Sequence, residues 1–335
     1  MPTIYRTMLT TLLLMNLSLA ADQAASDPAL KAYDLRLAGK TDEAKALLEE
    51  ATKKNPKDAR AWFELARTCW QQWPVKHDFK GAARAIDRAC KLAPKENRYW
   101  LWAGYIHTYN SVAKAHNVFS WAGVPGEMVT GAKYAQKALD LDPTCSAARY
   151  MLYCLYNNNP WYLGGSSRKA KALLKNAQAK DPVGTALIEA NKIPRDQQQK
   201  RLDLWLALLQ TRPADPNVHK EIMTIASRMD DYALAREHAE RICQLAPARR
   251  FCLLELARNV LRKDPALAEE LVNQYLAATD TPITLQAHAK GLLAKIRSRQ
   301  GRAQEADELK AQARAMDPYT WQDLPDALDL FTARP

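Results

Sequence analysis

A small residue, a second one seven positions later and a proline five positions after that recur along this chain. The beat reads Ala44, Ala51, Pro56, then Ala82, Ala89, Pro94, then Gly131, Ala138, Pro143. It returns at Ala170, Ala177, Pro182, at Ala235, Ile242, Pro247 and at Ala306, Ala313, Pro318. Positions seven apart lie two turns apart on one face of a helix, so both small residues meet the same neighbour. The proline ends the helix, because it lacks an N–H and disfavours helical backbone in the residue before it. Such a beat specifies a stack of helical hairpins, in which each unit buries its apolar face only against its neighbours. A length of 335 residues would suit two or three ordinary domains, but a stack of this kind is one unit. The 47% hydrophobic and 25% charged content excludes disorder, and only 11 glycines argue against a turn-rich β fold.

The first twenty residues differ from the rest. Arg6 is their only charge, Met8 to Leu19 is a short apolar run, and Ser18-Leu19-Ala20 puts small residues before Ala21. That pattern predicts a secretory signal peptide over 1–20, cut before Ala21, rather than a membrane anchor. The expected location is therefore periplasmic or secreted, with no integral membrane segment after cleavage. The formal charge of +11 raises nucleic acid as a partner. An exported chain seldom meets it, and Lys169, Lys171, Lys175 and Lys180 read as a solvated outer face, so no nucleic-acid partner is expected. Of six cysteines, Cys243 and Cys252 flank a helix–turn–helix corner. They read either as a disulfide or as two buried thiols.

Trp62, Leu65, Ala66 and Cys69 follow a first-helix pattern that returns at Trp100, Ala103 and Gly104, with His107 in the place of a tyrosine. Gly39 and Gly301 fall in the turns between paired helices. With the late prolines, these residues resemble the tetratricopeptide repeat (TPR) family, whose period is about 34 residues. The resemblance covers almost everything after residue 20. It implies an all-α, TPR-like superhelical solenoid of about eight hairpins over 21–335, closed by a capping helix over Trp321 to Phe331. Second helices are expected near 42–54, 80–92, 129–141, 168–180, 198–210, 233–245, 265–278 and 304–316. The run from Pro160 to Ala170 is similar to a turn in exported bacterial TPR proteins. It also looks like the TPR component associated with TRAP-type solute transporters.

Repeats two to four carry extra residues between their two helices. Gln72-Trp73-Pro74-Val75, the stretch through Phe119 and Trp121, and Trp161-Tyr162-Leu163-Gly164-Gly165 are these insertions. In a solenoid such turns share one edge, and clustered aromatics there offer contact area at small entropy cost. Trp73, Phe119, Trp121, Trp161 and Tyr162 are thus a candidate aromatic edge. The first helices supply a second candidate, an inner groove of Arg60, Phe63, Arg67, Trp70, Arg98, Tyr105, Tyr109, Arg149, Tyr153, Tyr156 and Asn157. Arginine forks bind carboxylates and flat rings pack an extended chain, so the expected partner is a protein or an acidic peptide.

Catalysis finds no support. Nucleophile elbows, phosphate loops and H-E-x-x-H pairs are missing from the sequence, and its six histidines are scattered without metal-ligand spacing. No enzyme activity, metal or cofactor is expected. The reading is a scaffold that holds a partner protein or an extended peptide. The alternative is a solute- or glycan-binding accessory of a transporter or export system, using the same aromatics as stacking platforms.

Overall fold

The computed structural model describes residues 27–76, 79–115, 122–175 and 177–321. The predicted signal peptide, Phe119, Trp121 and all but the first residue of the expected capping helix lie outside these, as does the Trp73 side chain. Among the described residues the regular structure is helical, and no helix is long and apolar enough to cross a membrane.

The helices pair in chain order into eight hairpins. The first four are α1 (Pro28–Leu37) with α2 (Thr41–Lys54), α3 (Ala59–Lys76) with α4 (Phe79–Leu92), α5 (Asn97–Ala115) with α6 (Val124–Leu141), and α7 (Ser146–Asn158) with α8 (Ser167–Ala172) and α9 (Ala177–Lys180). The rest are α10 (Pro182–Lys192) with α11 (Gln198–Thr211), α12 (Pro216–Arg228) with α13 (Tyr232–Leu245), α14 (Cys252–Val260) with α15 (Pro265–Leu276), and α16 (Ile283–Arg299) with α17 (Ala303–Met316). The fold is an all-α, TPR-like solenoid.

The beat does what its spacing implies. Ala44, Ala82, Ala89, Ala138, Ala170, Ala177, Ala235, Ile242, Ala306 and Ala313 are all buried on the second helices. Small side chains let paired helices approach closely. A Cβ on Gly131 would come within 2.6 Å of Thr108 Oγ1 and 3.2 Å of the Gly104 carbonyl, so α5 and α6 meet almost backbone to backbone. The prolines do more than stop helices. Pro182 ends the fourth repeat and also stands at the first position of α10, where its missing N–H costs nothing. Asp27, Asp181, Asp215 and Asp264 each precede such a proline and cap the following helix through the side chain.

Two segments differ from what their sequences suggest. The Gln72–Val75 stretch continues α3 as helix to Lys76. In the fourth repeat the expected helix over 168–180 breaks after Ala172. There Leu174, Lys175 and Ala177 each donate only three residues back, a tighter coil than the α-helix.

The solenoid also closes on itself. Thr284 of α16 donates to the Arg36 carbonyl of α1 at 2.8 Å. Gln71 of α3 donates to Asp317 at 3.0 Å, and the Tyr319 hydroxyl donates to Asp42 of α2 at 2.8 Å. The segment after α17 thereby covers part of the first two repeats. Glycine permits the approach at two places: a Cβ on Gly39 (φ +76°) would sit 2.0 Å from the Met316 carbonyl oxygen, and one on Gly291 2.0 Å from that of Trp321. Closure buries a polar seam of Arg36, Glu64, Arg67, Gln71, Thr284 and Asp317.

Candidate functional site

The structure separates the predicted groove residues into four groups, the last being buried Arg67 and Arg149. Phe63, Trp70, Tyr153 and Tyr156 are buried and belong to the core. Phe63 stacks on Tyr99 at 4.3 Å, and Trp70 packs edge-on against Phe79, Trp102 and Tyr109. Their first-helix spacing, read as a groove, is the packing stripe of α3 and α7. Tyr105 and Tyr109 are half-buried. Arg60, Arg98 and Asn157 keep solvent access: Arg60 pairs with Asp27 at 2.7 Å, Arg98 lies 5.4 Å over the Phe63 ring, and Asn157 donates to Asn158.

Arg67 is fully buried and cannot offer its fork to a partner peptide from that position. Its Nη1 donates to Glu64 Oε2 at 3.0 Å, while Arg36 Nε donates to Glu64 Oε1 at 2.7 Å. The guanidinium also lies over the Tyr33, Phe63 and Trp102 rings. Burial pushes its pKa down to about 9, with Glu64 opposing the shift. Tertiary contact has thus supplied the carboxylate that sequence reasoning assigned to a partner.

Arg149 is likewise internal. Its Nε donates to Asp181 at 2.7 Å, Nη1 to the Leu173 carbonyl at 3.0 Å and Nη2 to the Pro143 carbonyl at 2.6 Å. In an unbroken helix the Leu173 carbonyl would accept from Ala177. Arg149 occupies it, and Ala177 donates to Leu174 instead, at 3.2 Å. The arginine thus takes over one helix acceptor at the break between α8 and α9. Asp181 completes the clamp by capping Gly184 and accepting from Ser146.

His107 stands where the repeat pattern has tyrosine, and it joins three helices. Its Nε2 lies 3.1 Å from Asp87 of α4 and its Nδ1 2.6 Å from Glu127 of α6. Both partners are carboxylates, so the ring donates at both nitrogens and is an imidazolium. Tyr134 donates to Asp87 and Lys114 to Glu127. Desolvation pulls the His107 pKa down, but the two carboxylates outweigh it and raise the value to about 9. Glu127 is raised by burial, yet His107 and Lys114 hold it at about 2. The His107 contribution is complete below the ordinary value of 6.5 and is lost as pH rises through about 9. That of Glu127 is complete above 4.5 and is lost as pH falls through about 2. Stability should therefore drop between pH 6.5 and 9 by up to about 3 kcal/mol. A His107→Gln variant should lose that slope, measured by denaturant titration at several pH values. An unchanged slope in the variant would remove the assignment.

Of the predicted aromatic edge, the described side chains are those of Trp161 and Tyr162. Trp161 is 84% and Tyr162 51% exposed, and their rings meet edge to face at 5.8 Å. They sit on a single 3-10 turn, Trp161–Leu163, held by hydrogen bonds at both ends. Gly165 donates to the Pro160 carbonyl and Ser166 to that of Tyr156, and Asn159 Nδ2 donates to the Leu155 carbonyl. Gly164 has φ +90°, and a Cβ on Gly165 would fall 1.7 Å from the Asn159 carbonyl oxygen, so this turn requires both glycines. Exposed Val129 of α6 lies beneath Gly164. Arg168, Lys169 and Lys171 are exposed on α8, directly after the turn. Large apolar side chains thus stand in water with cations beside them.

Two clefts lie elsewhere. One, of about 320 Å³, opens at the closure seam between Tyr33 and Leu37 of α1 and Phe251, Tyr275 and Leu285. The other, of about 270 Å³, is lined by His219, Glu237, His238 and Glu240. His219 and His238, scattered in sequence, meet with their Nδ1 atoms 2.8 Å apart. His219 Nε2 donates to the Pro213 carbonyl at 3.0 Å. Burial, then the neighbouring His219, hold His238 down at about 4. No group of three or more metal-binding side chains converges among the described residues.

Residues 30–72 match the sequence profile of the tetratricopeptide repeat. No curated protein matches the chain. Among solved structures, yeast Tom70 is similar at 18% identity over 88% of this chain and 57% of that one, with a TM-score of 0.47. The type IV pilus biogenesis factor PilW is 19% identical over 79% of this chain and 96% of its own, with a TM-score of 0.35. A human IFIT1 dimer with m7Gppp-AAAA is 14% identical over 83% and 68%, with a TM-score of 0.40.

Proposed function

We propose that this protein, a TPR-type scaffold, holds an acidic partner protein or peptide on the Trp161–Tyr162 turn, after export to the periplasm or cell exterior. The exposure of Trp161 on a frame fixed by Gly164 and Gly165 carries the reading. The turn that carries Trp161 is already ordered, so binding orders the side chain without the added cost of ordering its backbone. Exposed Arg168, Lys169 and Lys171 and the overall charge of +11 favour a negatively charged partner. Export rests on the sequence pattern of residues 1–20.

The test is affinity capture from envelope extract with the wild type, a Trp161→Ala, Tyr162→Ala variant and a Lys169→Glu, Lys171→Glu variant. The recovered partner should bind the aromatic variant at least tenfold more weakly. It should bind the charge variant more weakly than the wild type, by a larger factor at low salt than at high salt. Equal affinity for all three would sink the reading. Recovery of a glycan in place of a protein would replace it with the carrier alternative.

A further inference from the structure

Cys243 and Cys252 lie away from the aromatic turn and play no part in its proposed role. Cys243 stands in the last turn of α13 and Cys252 opens α14, with the 3-10 turn Pro247–Arg249 between them. Their Sγ atoms are 3.7 Å apart across this corner. A disulfide needs about 2.05 Å, a difference that rotation about the two Cα–Cβ bonds can supply. The pair is asymmetric. Cys252 is buried beside the Ala239 carbonyl, while Cys243 is only half-buried.

We infer that Cys243 and Cys252 form a reversible disulfide, with Cys243 as the thiol that meets the oxidant and Cys252 as the thiol that resolves it. A hydrogen bond from Cys252 and the nearby Arg250 charge favour the Cys243 thiolate against the cost of burial. That hydrogen bond and burial keep the Cys252 proton in place until the second step. The oxidant is a disulfide, RSSR. The Cys243 thiolate attacks one of its sulfurs, the RS–SR bond breaks, and a mixed disulfide forms as RS⁻ leaves and takes up a proton. Cys252 then attacks Cys243 Sγ, the mixed bond breaks, and the second RS⁻ leaves with the Cys252 proton. Two protein thiols are oxidised and one RSSR is reduced to two RSH.

The bond would clamp the turn from Gln244 to Phe251. Pro247, Ala248, Arg250 and Phe251 of that turn form one wall of the seam cleft, opposite Tyr33 and Leu37 of α1. Oxidation thus stiffens the corner that faces the first helix. Cleavage after Arg241, Arg249, Arg250 and Arg258 places each cysteine in its own tryptic peptide, Ile242–Arg249 and Phe251–Arg258.

The experiment incubates the full chain with oxidised glutathione, then quenches, alkylates and digests it for mass spectrometry. The two peptides should appear linked, and the oxidised protein should melt about 5 °C higher than the reduced one. Cys252→Ser should hold glutathione stably on Cys243, and Cys243→Ser should leave Cys252 free. Alkylation of both thiols, or a lasting glutathione adduct on the wild type, would overturn the pair. Glutathione on Cys252 in the Cys243→Ser variant, formed as fast as on Cys243, would overturn the order.

Discussion

Replacing Arg149 with alanine should cost about 3–5 kcal/mol and should be the most damaging single change in the fourth repeat. The substitution removes three hydrogen bonds at once, to Asp181, the Leu173 carbonyl and the Pro143 carbonyl. It leaves the Asp181 carboxylate buried without its cation, and that desolvated charge is the larger part of the cost. Lysine retains the charge but offers one point in place of a planar fork, so Arg149→Lys should recover only part of the loss. Denaturant titration of both variants checks this. The hydrogen-exchange pattern should localise the damage to 146–192, because the partners of Arg149 lie in or beside this stretch. If Arg149→Ala costs under 1 kcal/mol, the clamp is decorative.

Glu64→Gln should be of similar size, about 3–5 kcal/mol, although it changes one atom. Glu64 accepts from Arg36 and Arg67 together, and all three side chains are fully buried. The amide keeps the volume and removes the negative charge between two guanidinium groups. Repulsion across the seam should loosen α1 from α3 and, with it, the contact of Arg36 with Thr284. Limited proteolysis should then open the chain near Gly39 and after Met316 together, since those backbones touch. Cleavage at neither place would show that closure does not depend on this charge.

The turn that carries Trp161 and Tyr162 was legible in the sequence. The glycines at 164 and 165 and the aromatic pair before them marked a turn, and the structure requires both glycines there. Arg67 and Arg149 misled because an arginine at an inward position of a first helix looks the same from sequence whether it faces solvent or a carboxylate elsewhere in the chain. Glu64, three residues before Arg67, was the available signal for one of them. Asp181, thirty-two residues from Arg149, gave none. The His107 tie is similar: a histidine in a tyrosine place is visible, but its carboxylates on α4 and α6 are each twenty residues away.

Sequence alone determined the local elements. Small residues seven apart and helix-stopping prolines act within a few turns of backbone, so they marked six hairpins and their order without reference to anything distant. Tertiary structure alone decided that the array returns to its start, pairing Gln71 with Asp317 and Tyr319 with Asp42. Closure depends on small rotations accumulated over every repeat, and no local period encodes their sum. It also decided which polar side chains are buried, because a charge can leave water only where a partner is waiting, and here those partners come from other helices.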